Sequence, residues 1–332
     1  MTDPSLRLEA TAGVPASLPA FKAGSRVISL DDILAAAEWR GELAPFRANR
    51  EQALAAALVA EAAGRTPEPA AVEAATAEFR YARDLVSAEE CDQWLEQRGL
   101  TFADLTASVT RRLLAECPEI GEPTGLPPGA GAILRTEALL ADEFTDWARQ
   151  LAWRSALAVA DNALPSVGLA PATAYAELEA RFAAAAAALA EPARRTRELA
   201  AQRLELLWVE ILAAEFTDEG AAHEAFLCVR EDGSTLAEVA AANGFPTRTN
   251  AAFLGELPPE WQPALLSATV GDVLPPRAGA DSAVVLQLLH RREPSLADAA
   301  VTERLDREVR RQHFGQLEAR HIRWLINVEV EA

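Results

Sequence analysis

The sequence predicts a mainly α-helical chain carrying one small α+β module in its C-terminal half, and three observations predict it. Half of the residues are apolar, largely through alanine, while aromatics make up only 6%. Alanine has the best intrinsic helix propensity, so long Ala-Leu stretches with few β-branched runs read as helix. Two short apolar runs, Leu206–Leu212 and Ala283–Leu289, have strand character instead. Between them lie a helical segment (Glu219–Arg230), a Gly-Ser turn, a short helix (Thr235–Asn243), a compact loop, and a turn leading into a helix that Gly271 stops. The order strand, helices, strand, helix, strand describes a small antiparallel sheet with helices packed to one side. At 332 residues the chain exceeds one typical core, so two or three modules are expected.

Taken in order, residues 1–25 are Pro- and Ala-rich and read as an irregular lead. A first helical module, 26–116, opens on a short strand at Arg26-Val27-Ile28, with Ser29 capping a helix whose first turn holds Asp31 and Asp32, where the macrodipole favours acids. Helices follow at Asp31–Trp39, Pro45–Ala63, Glu68–Leu85, Ala88–Arg98 and Phe102–Glu116. Gly64 and Gly99 are natural stops, Ser87 and Thr101 natural caps, and Ser87-Ala88-Glu89-Glu90 a capping box. Residues 117–131, CPEIGEPTGLPPGAG, concentrate Pro and Gly without apolar periodicity and read as a linker. A second helical module, 132–205, contains long helices at Ile133–Ala163, Pro171–Leu189 and Pro192–Leu204. The module with the strands spans 206–292. The tail, 293–332, reads as a helix from Ser295 to Trp324 and a strand at Ile326–Val330 that returns to the N-terminal module near Val27-Ile28.

Several strings in 206–292 resemble the parvulin type of peptidyl-prolyl isomerase domain. Glu231–Gly244, EDGSTLAEVAAANG, is similar to the family's "acidic, Gly, Phe-Ala-Glu-Leu-Ala" helix. Leu257–Pro276, LPPEWQPALLSATVGDVLPP, is similar to its "Pro-Glu-Phe…Ala-Leu…Gly-Glu-Val…Pro" segment, and Val284–Pro294 to its closing strand. The helical flanks resemble SurA-type chaperones, which implies helical arms packed with the C-terminal helix. The catalytic set departs from the family. The first-strand His position falls on Glu210, in Val209-Glu210-Ile211-Leu212, and the last-strand position falls on or near Val284. The family's Gly-Gly-Asp-Leu-Gly turn is reduced to Asn250–Gly255. The resemblance therefore implies a degenerate isomerase module: a non-catalytic, chaperone-like binder of an unfolded or precursor peptide, of the accessory type that serves a peptide-modifying enzyme in maturation of ribosomally made peptides. An active cis/trans isomerase and a helical scaffold for a folded partner are the alternatives.

Residue chemistry narrows the classes further. Proline isomerisation must lower a barrier of about 20 kcal/mol by desolvating and holding a twisted amide, and Glu210 with Val284 lacks the imidazole network for it. Phe245, Phe253, Leu254, Trp261 and Leu265 are candidates to line an apolar peptide groove, against the plainer reading that they fill the module's core. Glu210 reads as outward-pointing or paired with an arginine. Acidic residues outnumber basic ones, 50 to 31, for a net charge of −19 that disfavours nucleic acid. The four histidines are scattered without zinc spacing, and no glycine-rich phosphate loop is present, so neither metal nor cofactor is expected. No run reaches the ~18 apolar residues of a membrane span. The three widely separated cysteines and the lack of a secretory pattern imply a cytoplasmic chain.

Overall fold

The computed structural model describes residues 17–116, 126, 130–164, 171–278 and 282–328. The lead before residue 17, most of the expected linker, and Val330 of the expected final strand lie outside them. The chain divides into two compact units, residues 1–185 with 312–332, and residues 186–311.

In the first unit, strands β1 (Pro19–Ala23) and β2 (Arg26–Ser29) form a hairpin closed by Gly24, whose φ of +59° suits glycine. Ser29 then caps α1 (Leu30–Trp39): its Oγ accepts from the Asp32 N–H at 3.2 Å while the Asp32 carboxylate accepts from the Ser29 N–H at 2.8 Å. Helices α2 (Leu43–Ala62), α3 (Pro69–Tyr81), α4 (Ala88–Glu96) and α5 (Phe102–Ala115) follow, with capping boxes at Ser87/Glu90 and Thr101/Asp104. The helix expected over Ile133–Ala163 is two, α6 (Ala130–Leu140) and α7 (Glu143–Ala160). At the break, the Arg83 guanidinium donates to the Leu140 carbonyl at 3.1 Å and pairs with the Asp142 carboxylate, supplying the partner that an interrupted ladder leaves missing.

Helix α7 buries Phe144, Trp147, Ala148, Leu151, Ala152, Ser155, Ala156 and Ala158, which leaves it little solvent face. A helix that buries residues on most of its faces must be surrounded, and its buried Arg154 is paired with Glu179. Trp94, Leu95 and Leu105 from the stretch 26–116 accordingly share one core with Leu139, Phe144 and Leu151 from 132–205. Helices α8 (Pro171–Leu189) and α9 (Pro192–Ala201) follow, the first ending one unit and beginning the next.

The second unit holds β3 (Trp208–Phe216), α10 (Glu219–Asp232), α11 (Leu236–Ala242), β4 (Thr247–Phe253), α12 (Gln262–Ser267), β5 (Arg277–Ala278) and β6 (Ala283–Arg292). The sheet is antiparallel in the order β4-β3-β6-β5, and both long strands outrun the apolar runs that mark them in the sequence. Helix α13 (Ala299–His321) then leads into β7 (Ile322–Trp324), which completes a second sheet in the order β2-β1-β7. The terminal strand reaches the N-terminal hairpin. It pairs with β1 rather than with Val27-Ile28 and lies four residues earlier than the alternation at Ile326–Val330 implies. Ile326 and Val328 are buried in the first unit's core instead.

Candidate peptide-binding site

Strand parity decides what the small module can present. Side chains of β3 alternate between faces. Val209, Ile211 and Ala213 pack with Val284, Leu286 and Leu288 of β6 on one face, together with Leu254, Leu257, Trp261 and Leu265. Leu212, Ala214 and Phe216 pack with Ala283 and Val285 on the other, beneath α10 and α11. The register agrees, since Ala213 pairs with Leu286 and Ile211 with Leu288.

Glu210 therefore points to the face opposite Val284. The two positions expected to replace the family's catalytic pair do not converge. The residue that shares Val284's face is Val209, one position earlier. Glu210 sits at a β-bulge beside its cross-strand neighbour His290, with Oε2 3.9 Å from Nε2 of that exposed imidazole.

The five candidate groove residues fall in three places, with Leu254, Trp261 and Leu265 together on the Val284 face. Phe245 stacks obliquely on Phe216 at 4.8 Å, on the helix-covered face. Phe253 packs with Leu206, Val301 and Leu305, with the Arg304 guanidinium 5.1 Å from its ring centroid. Leu254 and Leu265 are 2% and 0% exposed and are sealed in the core of the Val284 face. Trp261, 8% exposed, lines an open cavity of about 460 Å³ with Glu260, Pro276, Arg277, Ala278 and Val284. Arg277 lies 5.3 Å from the Trp261 ring centroid, a cation–π contact that holds the guanidinium over the indole.

The position of Trp261 follows from its surroundings. Pro258 accepts the Trp261 N–H at 3.0 Å, and Gln262 donates to the Leu257 carbonyl at 2.8 Å, so the turn before α12 is closed on itself. Arg291 of β6 donates to the Leu266 and Ala268 carbonyls at 3.3 and 3.0 Å, which fastens the far end of this short helix to the sheet. The stretch after it runs along β6: Gly271 and Leu274 donate to Leu288 and Leu286, both at 2.7 Å. Asp272 caps that stretch by accepting from the backbone N–H and hydroxyl of Thr269 at 2.8 and 2.7 Å, and the backbone bond, then the hydroxyl bond, hold its carboxyl below the usual range. The residues around Trp261 that line the cavity, above all Pro276 and Arg277, carry no periodic signal. The Pro275-Pro276 pair that ends the helix-turn string was their one visible mark.

Chemically the cavity is an apolar seat, an indole, a proline and a valine, with a carboxylate and a guanidinium at its rim. It offers contact area for a flat or aliphatic side chain and no imidazole or thiol within its lining. Among the described residues no cluster of His, Cys, Asp and Glu is arranged to hold a metal ion, and no helix is long and apolar enough to cross a membrane.

No family model matches the chain, and no curated protein matches its sequence. Among solved structures it is similar to the foldase protein PrsA of Lactococcus lactis, at 12% identity over 92% of each chain with a TM-score of 0.32. It is also similar to the foldase protein PrsA of Streptococcus pneumoniae, at 14% identity over 96% of each chain with a TM-score of 0.31. A SurA-like chaperone of Campylobacter jejuni matches at 8% identity, over 95% of this chain and 99% of that one, with a TM-score of 0.20. Along nearly its whole length, and at low identity, the chain is similar to foldases and chaperones of the PrsA and SurA kind.

Proposed function

We propose that this protein is a non-catalytic, chaperone-like peptide binder whose 206–292 module seats one side chain of an extended client against Trp261. The carrying observation is the composition of that cavity: Trp261, Pro276 and Val284 supply apolar surface, while Glu210 is turned to the opposite face. Such a site rewards burial of a ring or aliphatic chain, worth about 1.5–3 kcal/mol for a full side chain. It holds no imidazole or thiol in its lining, and its one guanidinium, Arg277, is engaged over the Trp261 ring. In its narrowest form the reading has the client as a precursor peptide presented to a modifying enzyme, in a reducing cytoplasmic compartment. That form rests on the chain's resemblance to parvulin-related accessory proteins of peptide maturation, and on Cys91 and Cys228 being free thiols.

The test is a pair of measurements on one Xaa-Pro peptide. Titration is expected to change tryptophan fluorescence saturably, and Val284→Asp, which puts a charge into the seat, is expected to weaken that response about tenfold. Exchange spectroscopy of the same peptide is expected to show no faster cis/trans interconversion. Acceleration by substoichiometric protein would make the module an active isomerase. Failure of every peptide in a library to bind, with a folded partner captured instead, would make the chain a scaffold.

A further inference from the structure

The second unit's sheet ends on one side in β5, only two residues long, and on the other in β4, which pairs with β3 along all seven of its residues, Thr247–Phe253. Residues 247–251 are exposed whichever face their side chains take. Which backbone groups of β4 are committed can be read from the register. Glu215 donates to the Pro246 carbonyl and Leu254 to the Leu207 carbonyl, so the bonded members of β4 are the even-numbered ones. Arg248, Asn250 and Ala252 turn their N–H and C=O groups toward β3. Thr247, Thr249, Ala251 and Phe253 turn theirs outward. The Glu256 carboxylate accepts the Phe253 N–H at 3.0 Å, as an outward-facing donor requires, and Glu256 is itself held by Arg304. The row is thus stopped at one end and open over Thr247–Ala251.

We propose that β4 is a second peptide site, which takes an extended segment as an added antiparallel strand with an acidic residue opposite Arg248. The occupant must be a strand, because three residues at alternate positions present paired donors and acceptors at the spacing of a β ladder. Arg248 sits on the face of Ala213, its pairing partner, and among the described residues it forms no ion pair. In an added antiparallel strand its opposite number occupies a non-hydrogen-bonded position, where side chains approach closest and opposite charges attract. The kind of ligand follows from the peptide-binding reading above; the place does not, since β4 and the Trp261 cavity lie at opposite edges of the sheet.

The experiment is amide hydrogen exchange by NMR on the full chain, with a capped Thr-Val-Glu-Val-Thr peptide and its Thr-Val-Lys-Val-Thr counterpart as probes. The Glu peptide is expected to slow exchange at Thr247, Thr249 and Ala251, whereas Arg248 and Asn250 are already protected. Thr249→Pro removes one outward N–H and no bond to β3, and is expected to weaken binding about fivefold while leaving the β3–β4 ladder protected. Arg248→Glu, which leaves the backbone intact, is expected to reverse the preference between the two peptides. Binding with protection confined to the cavity residues, or no binding of either probe while the Xaa-Pro peptide still binds, would overturn the β4 site and leave the peptide-binding function standing; no binding of any of the three would overturn both. Protection of the three amides without peptide, in a sample of dimeric mass, would assign the edge to a second copy and overturn the proposal.

Discussion

Glu318 is a buried carboxylate held by two indoles, with Trp153 Nε1 donating to one oxygen at 2.7 Å and Trp324 Nε1 to the other at 2.9 Å. It ties α7, α13 and β7 together with charge-assisted bonds. Glu318→Gln offers only one acceptor to two donors and is expected to cost about 2 kcal/mol in urea denaturation, with a changed tryptophan spectrum. A second residue-scale effect comes from the caps. Glu90 and Glu238 sit below their ordinary 4.5, first because the backbone N–H groups of Ser87 and Thr235 donate to them. A depressed carboxyl pKa means that the unfolded chain binds the proton more tightly. Their contribution is therefore complete above about 4.5 and is lost as pH falls through the lower folded values. Glu238→Gln is expected to flatten the loss of stability in that acid range, read from denaturation midpoints against pH. These boxes were legible at Ser87, where four consecutive residues spell the pattern. The Glu318 clamp was not, because its partners lie 165 and 6 residues away.

At the scale of elements, helix starts and stops were readable wherever a cap or a glycine marks them. Gly64 and Gly99 end α2 and α4 in left-handed geometry as their positions imply, with φ of 72° and 68°. The break between α6 and α7 carries no Gly or Pro, and the carbonyl it frees is met by the guanidinium of Arg83, in the turn after α3. Arg83→Met keeps much of the stem's packing on Phe79, whose ring lies 3.9 Å from the guanidinium, but removes the donor to Leu140. It is expected to destabilise the protein by about 1–3 kcal/mol through an unpaired carbonyl, measured by thermal or urea unfolding. Strand β4, present in the expected order, could not be given bounds for a different reason: TRTNAAF has no alternation of apolar residues, because an edge strand with both faces wet needs none. The same wetness is what leaves its outer backbone row available. In the candidate site, Trp261 was legible from its Pro-Glu-Trp string. The face of Glu210 was not, since an assignment shifted by one residue reverses the side on which a strand side chain lies.

For the whole molecule, composition alone indicated a helical chain with one small sheet. The β1-β2-β7 sheet is the part composition could not show, being only three short strands drawn from the two ends of the sequence. Its pairing is reinforced by Arg98 Nε donating to the Asn327 carbonyl at 3.2 Å and by Leu325 N–H donating to the Ala20 carbonyl at 2.9 Å. Truncation after His321 is expected to abolish the cooperative unfolding of the first unit while the transition of 186–311 persists, as judged by residue-resolved exchange.

The closing role of β7 also sets an order of events on the ribosome. Residues 186–311 are contiguous, so that unit can fold as soon as its own last helix clears the exit tunnel. The helices of the first unit, made before it, must wait for β7 and for Ile326 and Val328 before their core is whole. Until β7 is made, apolar faces of the helices before residue 186 lack the strand and the two side chains that complete their core.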